Sequence, residues 1–123
     1  MQLNAARVFV KDLAAAKAFY AQALALPLKA DGEPYGYCVF QSGGTELVVE
    51  SVPHDAPDEE QVLVGRFTGL SFTVADIRST CDQLRARGVA FSGQPERQPW
   101  GGTLATFCDP SGNELQIVEQ PVA

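Results

Sequence analysis

The side chains that could carry chemistry in this chain are few and thinly spread. The single histidine, His54, sits in the run P-H-D-A-P-D-E-E-Q, whose polar neighbours point to a solvated surface imidazole. The three cysteines, Cys38, Cys81 and Cys108, are an odd number, lie far apart and form no C-x-x-C pair. They suit neither a zinc knuckle nor a disulfide framework, and they read as reduced, buried thiols. Nothing near Cys38 in sequence would lower its pKa toward a nucleophilic thiolate. No G-x-S-x-G elbow, H-E-x-x-H pair or phosphate-cradling glycine loop occurs. Glu50 is the best single candidate for a general base, and a solvated carboxylate at a strand end is an equal reading of it. The inventory excludes more chemistry than it suggests.

The charge balance narrows the partners. The net charge is −6, with nine basic residues and no Lys/Arg cluster, so nucleic acid and anionic membrane surfaces are poor partners. An acidic surface serves solubility, and it also suits a cationic ligand. With 123 residues, 46% hydrophobic and 20% charged, the chain fits one globular domain, 1–123. No apolar run reaches the length of a membrane span, and no basic-then-apolar leader opens the sequence. A cytoplasmic protein with no membrane partner is the expectation.

The most informative stretch is Trp100 to Glu119. Thr103 to Cys108 is β-branched and aromatic, and Glu114 to Glu119 alternates polar with apolar. Between them, Asp109-Pro110-Ser111-Gly112-Asn113 has turn chemistry throughout, with the Asp and Asn side chains expected to bond nearby backbone. This predicts a hairpin, approached through Trp100 and a Gly101-Gly102 pair where backbone can come close to a neighbour.

Upstream, Leu3 to Val10 alternates as a strand, and Asp12 offers a helix N-cap. Leu13, Ala16, Phe19, Tyr20 and Leu24 then recur at helical spacing until Pro27. Tyr35 to Gln41 and Thr45 to Val52 read as strands around Ser42-Gly43-Gly44. A polar linker, 53–65, follows. Arg66 to Val74 reads as a strand, Asp76 caps a second helix that stops at Gly88, and Val89 to Ser92 is a short strand. The order repeats: module 1 spans about 1–52 and module 2 about 66–120. Val10-Lys11-Asp12-Leu13 corresponds to Val74-Ala75-Asp76-Ile77, 64 residues later. Two units of this kind mean internal pseudo-symmetry rather than a solenoid, which needs three or more repeats.

The sequence W-G-G-x5-C-D-P-S-G-N-E-L resembles the last hairpin of the vicinal oxygen chelate superfamily, and the repeated element order extends that resemblance over nearly the whole chain. The superfamily includes glyoxalase I, extradiol dioxygenases, fosfomycin-resistance proteins and bleomycin-resistance proteins. The resemblance implies an α+β fold: two βαβββ modules forming a cupped mixed sheet with helices on the outer face. It also implies four cleft positions that commonly hold a divalent metal through His, Glu or Gln. In this chain they fall on Ala5, Gly69, Gln116 and either Val48 or Glu50. At most one carboxylate and one amide remain, which is poor ligand chemistry. The expectation is therefore no metal, no cofactor and no assigned catalytic residue.

A cup without a metal remains a cavity. Strand parity and loop position give Phe9, Tyr35, Tyr37, Trp100 and Val118 as lining, with Arg7, Glu50, Ser71 and Gln116 as polar anchors. An inward Arg7 needs Glu50, another carboxylate or an anionic ligand beside it. The metal-free members resembled here, the bleomycin-resistance type, act as dimers that sequester a planar drug. The leading expectation is thus a homodimeric small-molecule-binding protein for an aromatic or heterocyclic antibiotic or metabolite. The alternatives are a metal-dependent lyase, isomerase or dioxygenase with atypical ligands, and a metal-free enzyme or accessory module.

Overall fold

A computed structural model describes residues 1–122. Contacts divide the chain into two compact units, residues 1–66 with 110–113, and residues 67–109 with 114 onward.

In the first unit, strand β1 (Ala5–Val10) buries Val8 and Val10 and leaves Arg7 on the opposite face. The Asp12 carboxylate then accepts the Ala15 N–H at 3.0 Å and starts helix α1 (Leu13–Ala18). The helix runs on through one π turn, Phe19–Ala23, in which the Leu24 N–H bonds to the Phe19 carbonyl at 3.1 Å. The wider turn shifts the buried stripe to Leu13, Ala16, Tyr20 and Ala23, leaving Phe19 and Leu24 only half-buried. Ala25 follows at φ 56°, a left-handed conformation that strains a residue with a β-carbon.

Strand β2 (Leu28–Gly32) was not expected from the sequence, because all its residues except Gly32 are exposed and no apolar alternation announces it. The strand expected from Tyr35 starts later. Pro34 sets a 3-10 turn over Glu33–Tyr35, Gly36 ends it at φ 89°, and β3 runs Tyr37–Ser42. With β4 (Thr45–Ser51) these strands form a sheet in the order β1-β4-β3-β2, with β1 parallel to β4 and the other pairs antiparallel. Helix α1 packs on β4. The segment read as a linker carries a one-turn helix, α2 (Asp58–Gln61). The Gln61 amide organises it by donating to the carbonyls of Pro53, His54 and Ala56 and accepting from Lys11.

The second unit repeats the plan. Strand β5 (Phe67–Thr73) leads through an Asp76 cap, which accepts the Ser79 N–H at 3.1 Å, into helix α3 (Ile77–Ala86). The helix buries Ile77, Cys81 and Leu84, spaced for one helical face, and Gly88 at φ 90° lies just past its end. Short strands β6 (Ala90–Phe91) and β7 (Glu96–Arg97) both pair with β8 (Thr103–Cys108), which pairs with β9 (Glu114–Glu119). The sheet order is β5-β9-β8-β6, with β5 parallel to β9 as β1 is to β4. Helix α3 packs on β8 and β9. The result is α+β with two mixed sheets, each unit opening with a parallel strand pair.

The 110–113 turn behaves differently from a local Asx turn. Asn113 is fully buried, and its amide reaches distant backbone. Its Nδ2 donates to the Phe9 carbonyl at 2.7 Å, and its Oδ1 accepts from Gly65 N–H at 2.8 Å and Arg66 N–H at 3.3 Å. The Ser111 hydroxyl oxygen accepts the Lys11 N–H at 2.9 Å. Asn113→Ala removes a fully buried amide and these bonds to part-buried backbone, and urea unfolding should show a loss of about 1–3 kcal/mol. By contrast, Ala25→Gly relieves the left-handed strain and should raise stability in the same assay by up to about 1 kcal/mol.

Candidate functional site

In the first unit, strand register assembles a polar and aromatic row on the sheet face away from the buried valines. Phe9 lies opposite Glu50, Glu50 opposite Tyr37, and Tyr37 opposite Gly32. Arg7 reaches Glu50 with a two-pronged contact, Nε to Oε1 at 2.6 Å and Nη2 to Oε2 at 2.9 Å. Its guanidinium carbon also sits 5.1 Å from the centre of the Phe9 ring. The hydrogen bond to Glu50, and then its charge, hold the Arg7 pKa above the ordinary arginine value. Both Glu50 oxygens are engaged, so a general-base role or a metal bond would first require this fork to open. The Tyr37 ring lies against Gly32, where an added β-carbon would fall 2.4 Å from Cζ. Tyr35, in the 3-10 turn, is 85% exposed and makes no part of that row.

In the second unit a polar row forms across Ser71, Gln116 and Thr106, which corresponds to the pairing of Arg7 with Val48 rather than to that of Phe9 with Glu50. Gln116 Nε2 donates to Thr106 Oγ1 at 3.1 Å. Val118, two residues along, is buried opposite Thr73 and Leu104. A cavity of about 210 Å³ opens beside Gln116, bordered also by Ser92, Gln94, Glu96, Gln98 and Thr106. Of the site residues named from sequence, Gln116 alone borders it. Most of the other border residues come from the stretch 92–98, whose short strand β7 consists of two polar residues that signal no pairing. Thr106 was within reach, since counting back from the 109–113 turn places it opposite Gln116.

Trp100 sits on a closed loop, in which Gln98 N–H bonds to the Gly102 carbonyl at 2.8 Å and Gly101 N–H to the Gln98 carbonyl at 2.9 Å. Its indole packs against Gly102, where an added β-carbon would be 1.9 Å from Cζ3, yet the residue remains 52% exposed. Part of the six-membered ring is therefore covered by backbone, and about half of the residue's surface stays open to solvent.

Pseudo-symmetry settles which residue on β4 corresponds to Gln116. Phe9 pairs with Glu50 as Thr73 pairs with Val118, so Glu50 corresponds to Val118 and Val48 to Gln116. The four positions of the metal resemblance are then Ala5, Val48, Gly69 and Gln116. Three have no side-chain donor atom, and the fourth, Gln116, offers one neutral amide oxygen while its NH2 end is held by Thr106. Gly69 also stands at φ 75° where the β5–β9 register shifts, a bulge that side chains disfavour. These residues do not fit a divalent metal. Among the described residues, no three His, Cys, Asp or Glu side chains converge elsewhere for that purpose. The thiols offer no substitute centre. Burial, as the first cause, pushes Cys38, Cys81 and Cys108 above the usual thiol pKa, and the carboxylate of Asp31 adds to it at Cys38.

Two units of repeated order, each joining its first strand in parallel to its last or fourth, define a paired-module α+β protein. The chain belongs to the Glyoxalase/Bleomycin resistance protein/Dioxygenase superfamily, whose profile matches residues 2–117. It is 30% identical to the uncharacterized protein YurT of Bacillus subtilis over 98% of this chain and 100% of that one. A superfamily member from Sphaerobacter thermophilus superposes with a TM-score of 0.79 at 27% identity, covering 98% of each chain. TnmS3, an antibiotic binding protein from Streptomyces sp. CB03234, gives 0.77 at 28% identity over 99% of this chain and 97% of that one.

Gly102→Ala should push the indole off its seat. Because Trp100 is the only tryptophan, the change reads out as a red-shifted emission and easier acrylamide quenching, with far-UV circular dichroism unchanged.

Proposed function

We propose that this protein is a small-molecule-binding member of its superfamily that works without a metal. It sequesters an aromatic or heterocyclic antibiotic or metabolite and acts as a cytoplasmic homodimer. The observation that carries the reading is the donor chemistry at the four positions: Ala5, Val48 and Gly69 offer nothing to a metal, and Gln116 offers a single neutral amide oxygen. The closed Arg7–Glu50 fork supports it, since the Glu50 carboxylate is already paired, as is Glu46, opposite Ala5, with Lys29. In this reading Trp100, Tyr37 and Phe9 supply flat apolar surface. Arg7, Glu50, Ser71 and Gln116 orient the ligand's polar edge, Tyr35 adds an exposed ring apart from the Phe9–Glu50–Tyr37 row, and buried Val118 supports Gln116 from two residues along the same strand. The likeness to an antibiotic binding protein at 28% identity supports the ligand class.

The test combines two measurements on protein purified without chelator or affinity tag. Elemental analysis should find metal far below one per chain, and a panel of planar antibiotics should include one that quenches Trp100 saturably and is recovered unchanged. Stoichiometric metal that Glu50→Ala abolishes, or conversion of the bound compound, would reverse the proposal in favour of an enzyme.

A further inference from the structure

The cavity of the second unit has an uneven chemistry that bears on what it can hold. Its border contains one charged side chain, the Glu96 carboxylate, and no lysine or arginine. Glu96 is exposed, and among the described residues its carboxylate has no ion-pair partner; its main-chain carbonyl, not its side chain, accepts from Gln98 Nε2 at 3.0 Å. That bond fixes the Gln98 amide by one N–H and leaves Oε1 as an acceptor. The Gln116 amide is likewise held by its NH2 end on Thr106, with its own Oε1 uncommitted. Ser92 donates to the Thr106 carbonyl at 3.3 Å. The second N–H of each amide and the Thr106 hydroxyl hydrogen remain, and Gln94 adds an amide with neither end bonded among the described residues. The neutral groups therefore offer both donors and acceptors, and the one full charge is the Glu96 carboxylate.

We infer that this cavity receives the donor-bearing, non-anionic end of a ligand: an amidinium, ammonium or amide NH2 group that gives hydrogen bonds to Gln98, Gln116 and Glu96. Anionic groups such as carboxylate and phosphate are refused, since the neighbouring cation, Arg85, is turned to the Gly93 carbonyl at 3.1 Å and does not border the cavity, and a net charge of −6 opposes their approach. At about 210 Å³ the space suits a head group or a single ring and is below the size of a whole drug-sized site. Glu96 is accordingly the residue that sets charge selectivity. The inference rests on the binding reading above and assigns one end of the bound molecule.

Three probes of matched shape test it: benzamidine, benzamide and benzoate, titrated into 15N-labelled full-length protein and followed by amide chemical shifts. Benzamidine should cause saturable shifts at residues 92–98, 104–106 and 116, benzamide weaker ones, and benzoate none. Glu96→Gln, which keeps the main-chain bond, should weaken benzamidine by about three- to five-fold and leave benzamide nearly unchanged, as removal of a solvent-accessible ion pair implies. Benzoate binding at these residues as strongly as benzamidine overturns the inference, as does a benzamidine titration that ignores them or is indifferent to Glu96→Gln. If it fails while planar antibiotics still quench Trp100, the binding function stands and only this assignment falls.

Discussion

One buried amide holds together pieces of chain that no helix or strand ladder joins. Asn113 takes the carbonyl of Phe9 at the end of β1, two consecutive N–H groups at residues 65 and 66, and its own place in the turn between β8 and β9. A buried polar group is tolerable only when its bonds are met, and here donor and acceptor ends are both used. Asparagine is suited to the position because it carries both ends on one short, planar group. An aspartate at the same place would lose the donor to Phe9 and bring a charge into a fully buried site. The D-P-S-G-N sequence is thus more than a reversal of direction. Pro110 and Gly112 shape the turn so that its last residue can serve main chain more than forty residues away.

Much of the fold was legible because its signals are local. The β8–turn–β9 hairpin, the Asp12 and Asp76 caps and the Gly88 stop follow from residue types at fixed offsets, and the structure places each where those offsets put it. Strand β2 was hidden because its sequence L-K-A-D-G is exposed on nearly every residue, so burial writes no alternation into it. Strand β7 was hidden because two polar residues carry no period at all. The π turn in the first helix moved the buried stripe by a residue, which a strict 3.6-residue reading of Phe19 and Leu24 could not anticipate.

The site was legible to a different degree. Arg7 and Glu50 share a strand parity, and the cost of an unpaired guanidinium makes their meeting a physical expectation; the two-pronged contact is what that expectation looks like in space. The choice between Val48 and Glu50 could not be made along one strand. It needed two parallel registers laid side by side, β1 with β4 and β5 with β9. The second unit's cavity was hidden for the same reason as β7, since most of its border comes from the irregular stretch between β6 and β8.

The left-handed backbone at Gly69 carries a consequence for how this sequence can change over time. A histidine introduced there would begin with a conformational penalty of about 1–2 kcal/mol before it met any ligand. It would also arrive without help, because Ala5 and Val48 would each need a separate replacement before a donor set existed. A donor set at these positions would thus take several separate replacements, one of them against the local backbone. Main-chain geometry at a single residue in this way limits which combinations of side chains the other positions can usefully join.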